Sequence, residues 1–360
     1  MIDRFFYRII LFFLLGFGGG LNNILAASSH LVVPETGVYT GAYIEFGDTE
    51  DNVTTEAISN FESLVAKRLA IVAFSSYWGE GSFPSGQLNT VTARGIVPLV
   101  FWSPWDRPYE EVHPEGGRFP RNHIDLNVIL SGKFDAYIDR WADAAKSYGR
   151  PMLVAWGLEM NGQWFPWSGF FHGAGKSIPG QQGYLGPETY KRAYRYVVDR
   201  VRARGATEIS WVFQTNGYSV PEAPWNRVAE YYPGADYVDW LGMSAYGKQF
   251  SYENWVSPAE AMDHPYQEIT SIDPTKPVIL AEWGVGEFPK SGSKAKYIHD
   301  ALKLITSRYS RIKAAVFWHE HWQNEDNSFS DLRITSSHGA LEEYRRGIAD
   351  ALWLDRPIFD

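Results

Sequence analysis

PMLVAWGLEMNGQWFPWSG, residues 151–169, joins an unbroken apolar run to a carboxylate, an amide and two tryptophans. The run does not alternate polar with apolar, as expected of a parallel strand covered on both faces. A covered strand has no use for Glu159, and an ordinary surface loop has none for Trp164 and Trp167. An acid suits proton transfer, and a flat indole suits the C–H face of a pyranose.

Working outward, runs of the same kind recur: VYTGAYI (38–44), LAIVAFSSY (69–77), IVPLVFW (96–102), PMLVAWGLE (151–159), EISWVFQ (208–214), VDWLGMSAY (238–246), PVILAE (277–282) and IKAAVFW (312–318). Helical spacing lies between them. Phe134, Tyr137, Ile138, Trp141, Ala142 and Ala145 recur at three and four. So do Tyr190, Ala193, Tyr194, Val197, Val198 and Val201, and again Tyr297, Ile298, Ala301, Leu302 and Ile305. Gly149 and Gly205 stand where helix C-caps belong. Eight strand–helix units imply an α/β fold, a (β/α)8 barrel forming one domain over 37–355. The alternative, a doubly wound open sheet, would want a glycine-rich phosphate turn after an early strand. GFGGG lies in the N-terminal segment and does not count, and GEG and GAG are too weak for such a site.

The 360 residues suit one such barrel. The net charge of -9 carries no electrostatic footprint for nucleic acid. The densest basic run, KRAYRYVVDRVRAR (191–204), reads as a solvated helix face. With no cysteine, disulfides, zinc–thiolate sites and thiol nucleophiles are excluded. Fifteen Trp and 21 Tyr are many, enough to fill a core and line a carbohydrate cleft. MIDRFFYR, then IILFFLLGFGGGL, then NNILAASSH has the basic, apolar, small-residue order of a secretory signal over 1–27. That order places the chain in a secreted or periplasmic setting; an uncleaved membrane anchor is the alternative.

Function in such barrels sits at the C-terminal ends of the strands. Those ends carry Trp78, Trp102, Trp105, Glu159, Gln214, Asn216, Tyr246, Glu282, Trp283 and Trp318 to Glu320. Glu159 and Glu282 each close an apolar run, where an acid is costly unless paired or used. Either alone reads equally well as a helix cap or salt-bridge partner; together at the fourth and seventh strands they point to chemistry. Two carboxyls are what glycoside hydrolysis needs, at about 5 Å for retention and about 6.5–9.5 Å for inversion.

LEMNGQWFPW resembles the H-E-M-N-G-x-W segment of glycoside hydrolase family 26, and PVILAEWG resembles that family's nucleophile strand. YYPGADYVDWLGMSAYG, VFWHEHWQ with DLRITSS, and FESLVAKRLAIVAFSSYWG are similar to its sixth-, eighth- and second-strand regions, in order across roughly 37–350. The resemblance implies a cofactor-free retaining endo-β-glycanase acting on β-mannan, mixed-linkage β-glucan or β-1,3-xylan. It implies Glu159 as acid/base, Glu282 as nucleophile and Tyr246 as the nucleophile's hydrogen-bond partner. Trp164 and Trp318 correspond to aromatic walls; Trp102, Trp167 and Asn216 complete the expected substrate-binding set.

Three positions depart from the family pattern: Leu158 stands for a His, Ala155 for an Arg and Ser244 for an Asp. They argue against a mannan-type subsite and keep a second reading open, a non-catalytic carbohydrate-binding protein on the same barrel. His319 and His321 could pair on a metal, but a third ligand in register would be needed, so hydrogen bonding or capping is the better reading. The polar loops 101–125 and 168–188 flank Glu159 and read as cleft walls. There is no G-x-S-x-G elbow for ester hydrolysis.

Overall fold

The computed structural model describes residues 30–106, 124–324 and 326–360. The expected leader over 1–27 and residues 107–123 of the third-strand loop lie outside the described residues. In chain order the elements are β1 (Val38–Ile44), α1 (Thr55–Val65), β2 (Ile71–Tyr77), α2 (Ser85–Thr92), β3 (Val97–Ser103), α3 (Leu126–Leu130), α4 (Asp135–Tyr148), β4 (Met152–Trp156) and α5 (Leu185–Ala203). There follow β5 (Ile209–Asn216), α6 (Val228–Tyr231), β6 (Trp240–Tyr246), α7 (Pro258–Ile272), β7 (Val278–Gly284), α8 (Lys294–Ser307), β8 (Ile312–His319), β9 (His321–Gln323), β10 (Phe329–Asp331), α9 (His338–Ile348) and β11 (Trp353–Leu354).

Strands β1 to β8 pair in sequence order, all parallel, and β8 returns to β1 with Tyr39 opposite Ala314 through Ile44 opposite His319. That closes a (β/α)8 barrel, with at least one helix after every strand. The short β11 adds beside the first residues of β1, Val38 and Tyr39. The hairpin of β9 and β10 stands beyond β8.

The eight apolar runs become the eight barrel strands. The helical spacings become α4, α5 and α8, whose periodic residues are buried from Tyr137, Tyr190 and Tyr297 onward. Gly149 caps α4 in the left-handed conformation that glycine takes at little cost. The basic run is the outward face of α5: Arg200 pairs with Asp135 and Asp139 of α4, and Arg204 with Asp143.

One expected boundary moves. The fourth run was expected to stay extended to Glu159, but β4 stops at Trp156. Gly157 and Glu159 both take positive φ, 56° and 51°. A Cβ on Gly157 would stand 3.3 Å from Tyr190 and 3.4 Å from Trp167, so the turn needs glycine twice over.

Candidate active site

Glu159 lies in the loop just past β4, in a left-handed conformation that is uncommon for a residue with a side chain. Such strain persists only where the surroundings over-determine it, and here they do. Its N–H donates to the Gln214 carbonyl of β5 at 2.9 Å. Behind it, the buried Asn161 clamps the loop to β5: its Nδ2 donates to the Asn216 carbonyl at 3.0 Å, and its Oδ1 accepts from the Asn216 N–H at 2.9 Å. Gly162 lets Trp164 fold back over the chain, since a Cβ there would sit 2.4 Å from the indole. Trp164 then donates from Nε1 to Glu159 Oε2 at 3.0 Å. The E-M-N-G-x-W stretch is thus one device that turns an acid into the barrel mouth and holds it.

Glu282 comes from β7 and is 8% exposed, as is Glu159. Each of its oxygens accepts a hydrogen bond at 2.8 Å, Oε1 from Gln214 Nε2 and Oε2 from the Tyr246 hydroxyl. Burial pushes the Glu282 carboxyl well above the usual range; the nearby Glu159 adds to this, and the Tyr246 and Gln214 donors oppose it. Burial likewise raises Glu159, against the donors Ser244 and Trp164. The two carboxyls therefore each raise the cost of ionising the other, and they titrate as a pair.

A further carboxyl, Glu320, follows β8. Trp318 Nε1 donates to its Oε2 at 2.6 Å, and the Tyr43 hydroxyl reaches Oε1 at 3.4 Å. Burial and the charge of Glu50 push Glu320 up to about 8. Tyr43 stacks on Trp318 with centroids 4.0 Å apart, so this wall is a rigid ring pair with an acid at its edge.

Of the expected site residues, the structure brings Glu159, Glu282, Tyr246 and Trp164 into one network, with Trp318 and Glu320 on the β8 wall. Trp102 and Trp167 are corrections, while Asn216 stays partly exposed at the end of β5. Trp102 is fully buried on the outside of the barrel, stacked on Trp141 at 3.9 Å and bonded to the Tyr137 hydroxyl, so it packs β3 against α4. Trp167 is buried under the loop; it donates to the Leu158 carbonyl and stacks on Phe165. Asn216 donates its side-chain amide to the Tyr218 carbonyl of its own turn.

Strand geometry explains the misplaced rings. Successive side chains point to opposite faces, so with Glu282 inward, Trp283 packs outward on Phe317 and Tyr344. Trp78 goes the same way, among Phe134 and Tyr137. Sequence reasoning left Gln214 and Tyr43 without roles, because which residues of other strands meet an acid is set only by the sheet. His319 Nδ1 accepts from the Ile334 N–H at 3.1 Å, while His321 stacks on Phe329. The two imidazoles therefore serve different segments.

The sequence model for glycosyl hydrolase family 26 matches residues 122–332, spanning Glu159, Gln214, Tyr246 and Glu282. The chain belongs to glycosyl hydrolase family 26. Among curated relatives in this family's range of activities is Endoglucanase H of Acetivibrio thermocellus, 32% identical over 87% of this chain; the chain spans 30% of that protein's length. A mannan endo-1,4-beta-mannosidase of Bacillus subtilis is 26% identical over 79% of the chain and 76% of its own length. In fold, the barrel resembles the modular endo-beta-1,4-mannanase of Cellulomonas fimi, with a TM-score of 0.61 at 18% identity over 89% of this chain and 72% of that one.

Proposed function

We propose that the chain is an exported retaining endo-β-glycanase. The observation that carries this reading is the paired geometry of the acids: Glu282 has a donor on each oxygen, while Glu159 is held opposite by Trp164. A donor on each oxygen favours the charged form at Glu282 against its burial, and in a retaining mechanism the proton is carried by Glu159. Glu282 attacks the anomeric carbon as Glu159 gives its proton to the departing glycosidic oxygen. A glycosyl ester on Glu282 results. Water then attacks the same carbon and gives a proton to Glu159, releasing the sugar and restoring both acids.

The substrate classes are β-mannan, mixed-linkage β-glucan and β-1,3-xylan. Leu158 and Ser244 remove two polar groups of the mannan-type pattern, which favours mixed-linkage β-glucan. The likeness to an endoglucanase agrees with that choice. The catalytic domain is 37–355 and the leader 1–27; among the described residues no helix is long and apolar enough to cross a membrane.

Reducing-end release from each polymer, with Glu159→Ala and Glu282→Ala as controls, tests the reading. Release from one polymer, lost in both variants and giving the retained anomer first, is expected. Glycan binding without any turnover would instead establish the non-catalytic carbohydrate-binding protein.

A further inference from the structure

Between the two acids lie two residues for which the reaction as written has no role. Gln214 Nε2 donates to Glu282 Oε1 at 2.8 Å and reaches Ser244 Oγ at 3.2 Å. The Ser244 hydroxyl also lies beside Glu159 and favours its charged form. The Gln214 backbone carbonyl accepts the Glu159 N–H. One β5 residue thus touches both acids, through its main chain on one side and its side chain on the other. Both residues are buried, at 1% exposure each.

The orientation of the amide is settled by its surroundings. Turned over, Gln214 would point its carbonyl oxygen at the Glu282 carboxylate, acceptor against acceptor. In the observed sense that oxygen is buried and has no hydrogen-bond partner among the described residues. An unsatisfied buried carbonyl is costly, and a side chain kept at that cost is kept for what its NH2 group does.

We propose that Gln214 and Ser244 are positioning residues: the Gln214 amide clamps the Glu282 carboxylate for attack, and the Ser244 hydroxyl, accepting from that amide, holds it in place between the two acids. This rests on the retaining-glycosidase reading and deepens it by naming what orients the pair. It also accounts for Ser244 where the family pattern has an Asp. An Asp there would set a third carboxylate against Glu159 and would take the Gln214 proton for itself. The neutral hydroxyl leaves the amide to Glu282.

The groups that face Glu282 are Glu159 from the β4 loop, Tyr246 from β6 and Glu50 from the loop after β1; Glu320 of the β8 wall acts on Tyr246. None of them changes when Gln214 is replaced by Ala, so a shift in titration there reports on the clamp.

The test uses Gln214→Glu, Gln214→Ala and Ser244→Asp in the full chain. The readouts are pH profiles of kcat/KM on the polymer the protein cleaves and on an aryl β-glycoside with a good leaving group. Gln214→Glu keeps the shape and donates only when protonated. It is expected to lose at least tenfold in kcat near neutral pH, with KM changed less than threefold, and to regain activity as the pH falls. Gln214→Ala is expected to lose activity at every pH and to move the acidic limb upward, because a donor to the ionised nucleophile has gone. Ser244→Asp is expected to move both limbs upward, its charge raising both acids. A purely structural role for Gln214 would not give an isosteric variant rescued by acid.

A second readout does not depend on turnover. With ¹³C-carboxyl-labelled glutamate, the Glu282 resonance, assigned through Glu282→Gln, should titrate at higher pH in Gln214→Ala than in the parent. An unchanged Glu282 titration, or wild-type kcat and limbs in Gln214→Glu, overturns the clamp. A parent that cleaves no glycan yet shows the shifted titration overturns the glycanase reading and leaves the clamp standing.

Discussion

Asp143 and Glu282 carry the same functional group and titrate in opposite directions. Asp143 sits on the outer face of α4, open to solvent, where Arg204 donates to it and holds its carboxyl below the usual range. Glu282 sits at the barrel mouth among neutral donors, and burial beside a second acid drives it well up. On the helix shell an acid is matched by a cation, and the pair is cheap to make and cheap to lose. At the mouth no cation touches either acid among the described hydrogen bonds and ion pairs, so the molecule carries desolvated carboxyls there. Folding alone gives no reason for that arrangement; chemistry does.

The widest separation between the two regions should appear in turnover. Glu282→Ala is expected to cut kcat/KM by at least about 10⁴-fold, as removal of a nucleophile does. Glu159→Ala is expected to cut it by about 10²–10⁴-fold, with a smaller loss on an aryl glycoside whose leaving group needs no proton. Asp143→Ala should leave the rate unchanged. Equal losses at Asp143 and Glu282 would break the comparison.

The tryptophans sharpen it next. Trp102→Ala should destabilise the fold by about 3–5 kcal/mol in denaturant titrations, the cost of emptying a packed core site, with KM of the remaining folded enzyme unaltered. Trp164, which is 37% exposed, should behave conversely. Trp164→Ala should leave the melting temperature nearly unchanged and move the basic limb of the rate profile upward, since a donor to ionised Glu159 is lost.

Stability against pH should also divide the two regions. Glu320 is raised to about 8. A carboxyl raised on folding stabilises fully below its unfolded value, and that contribution is lost as pH climbs through the folded one. Melting temperature should therefore fall between about pH 5 and pH 8 on this account. Glu320→Gln should flatten the slope; a slope unchanged in that variant would remove Glu320 as its source. Asp143 has the opposite sign: its contribution is present above the unfolded value and is lost only in acid. Its exposure makes the effect of Asp143→Asn on the melting temperature barely measurable.

Much of this was legible in the order of residues. The eight apolar runs give the barrel because a parallel strand covered on both faces must be apolar throughout. Glu159 and Glu282 stand out because an acid closing such a run is out of place unless used. The same continuity hid which face each residue takes: Trp102 and Trp283 read as cleft rings because nothing polar alternates with them. Trp167 read as a sugar platform because an indole beside an acid looks alike whether it lies above the loop or beneath it.

By itself the sequence determined the strand count and marked Glu159 and Glu282 as acids out of place at strand ends, since composition and period are properties of the chain alone. Tertiary structure decided the rest. The turn at Gly157 takes Glu159 off the end of β4, and the pairing of β5, β6 and β7 brings Gln214 to Glu282 across Ser244. Residues 68 positions apart can share a hydrogen bond only once their strands have paired in one sheet, and no local spacing encodes which amide meets which carboxylate.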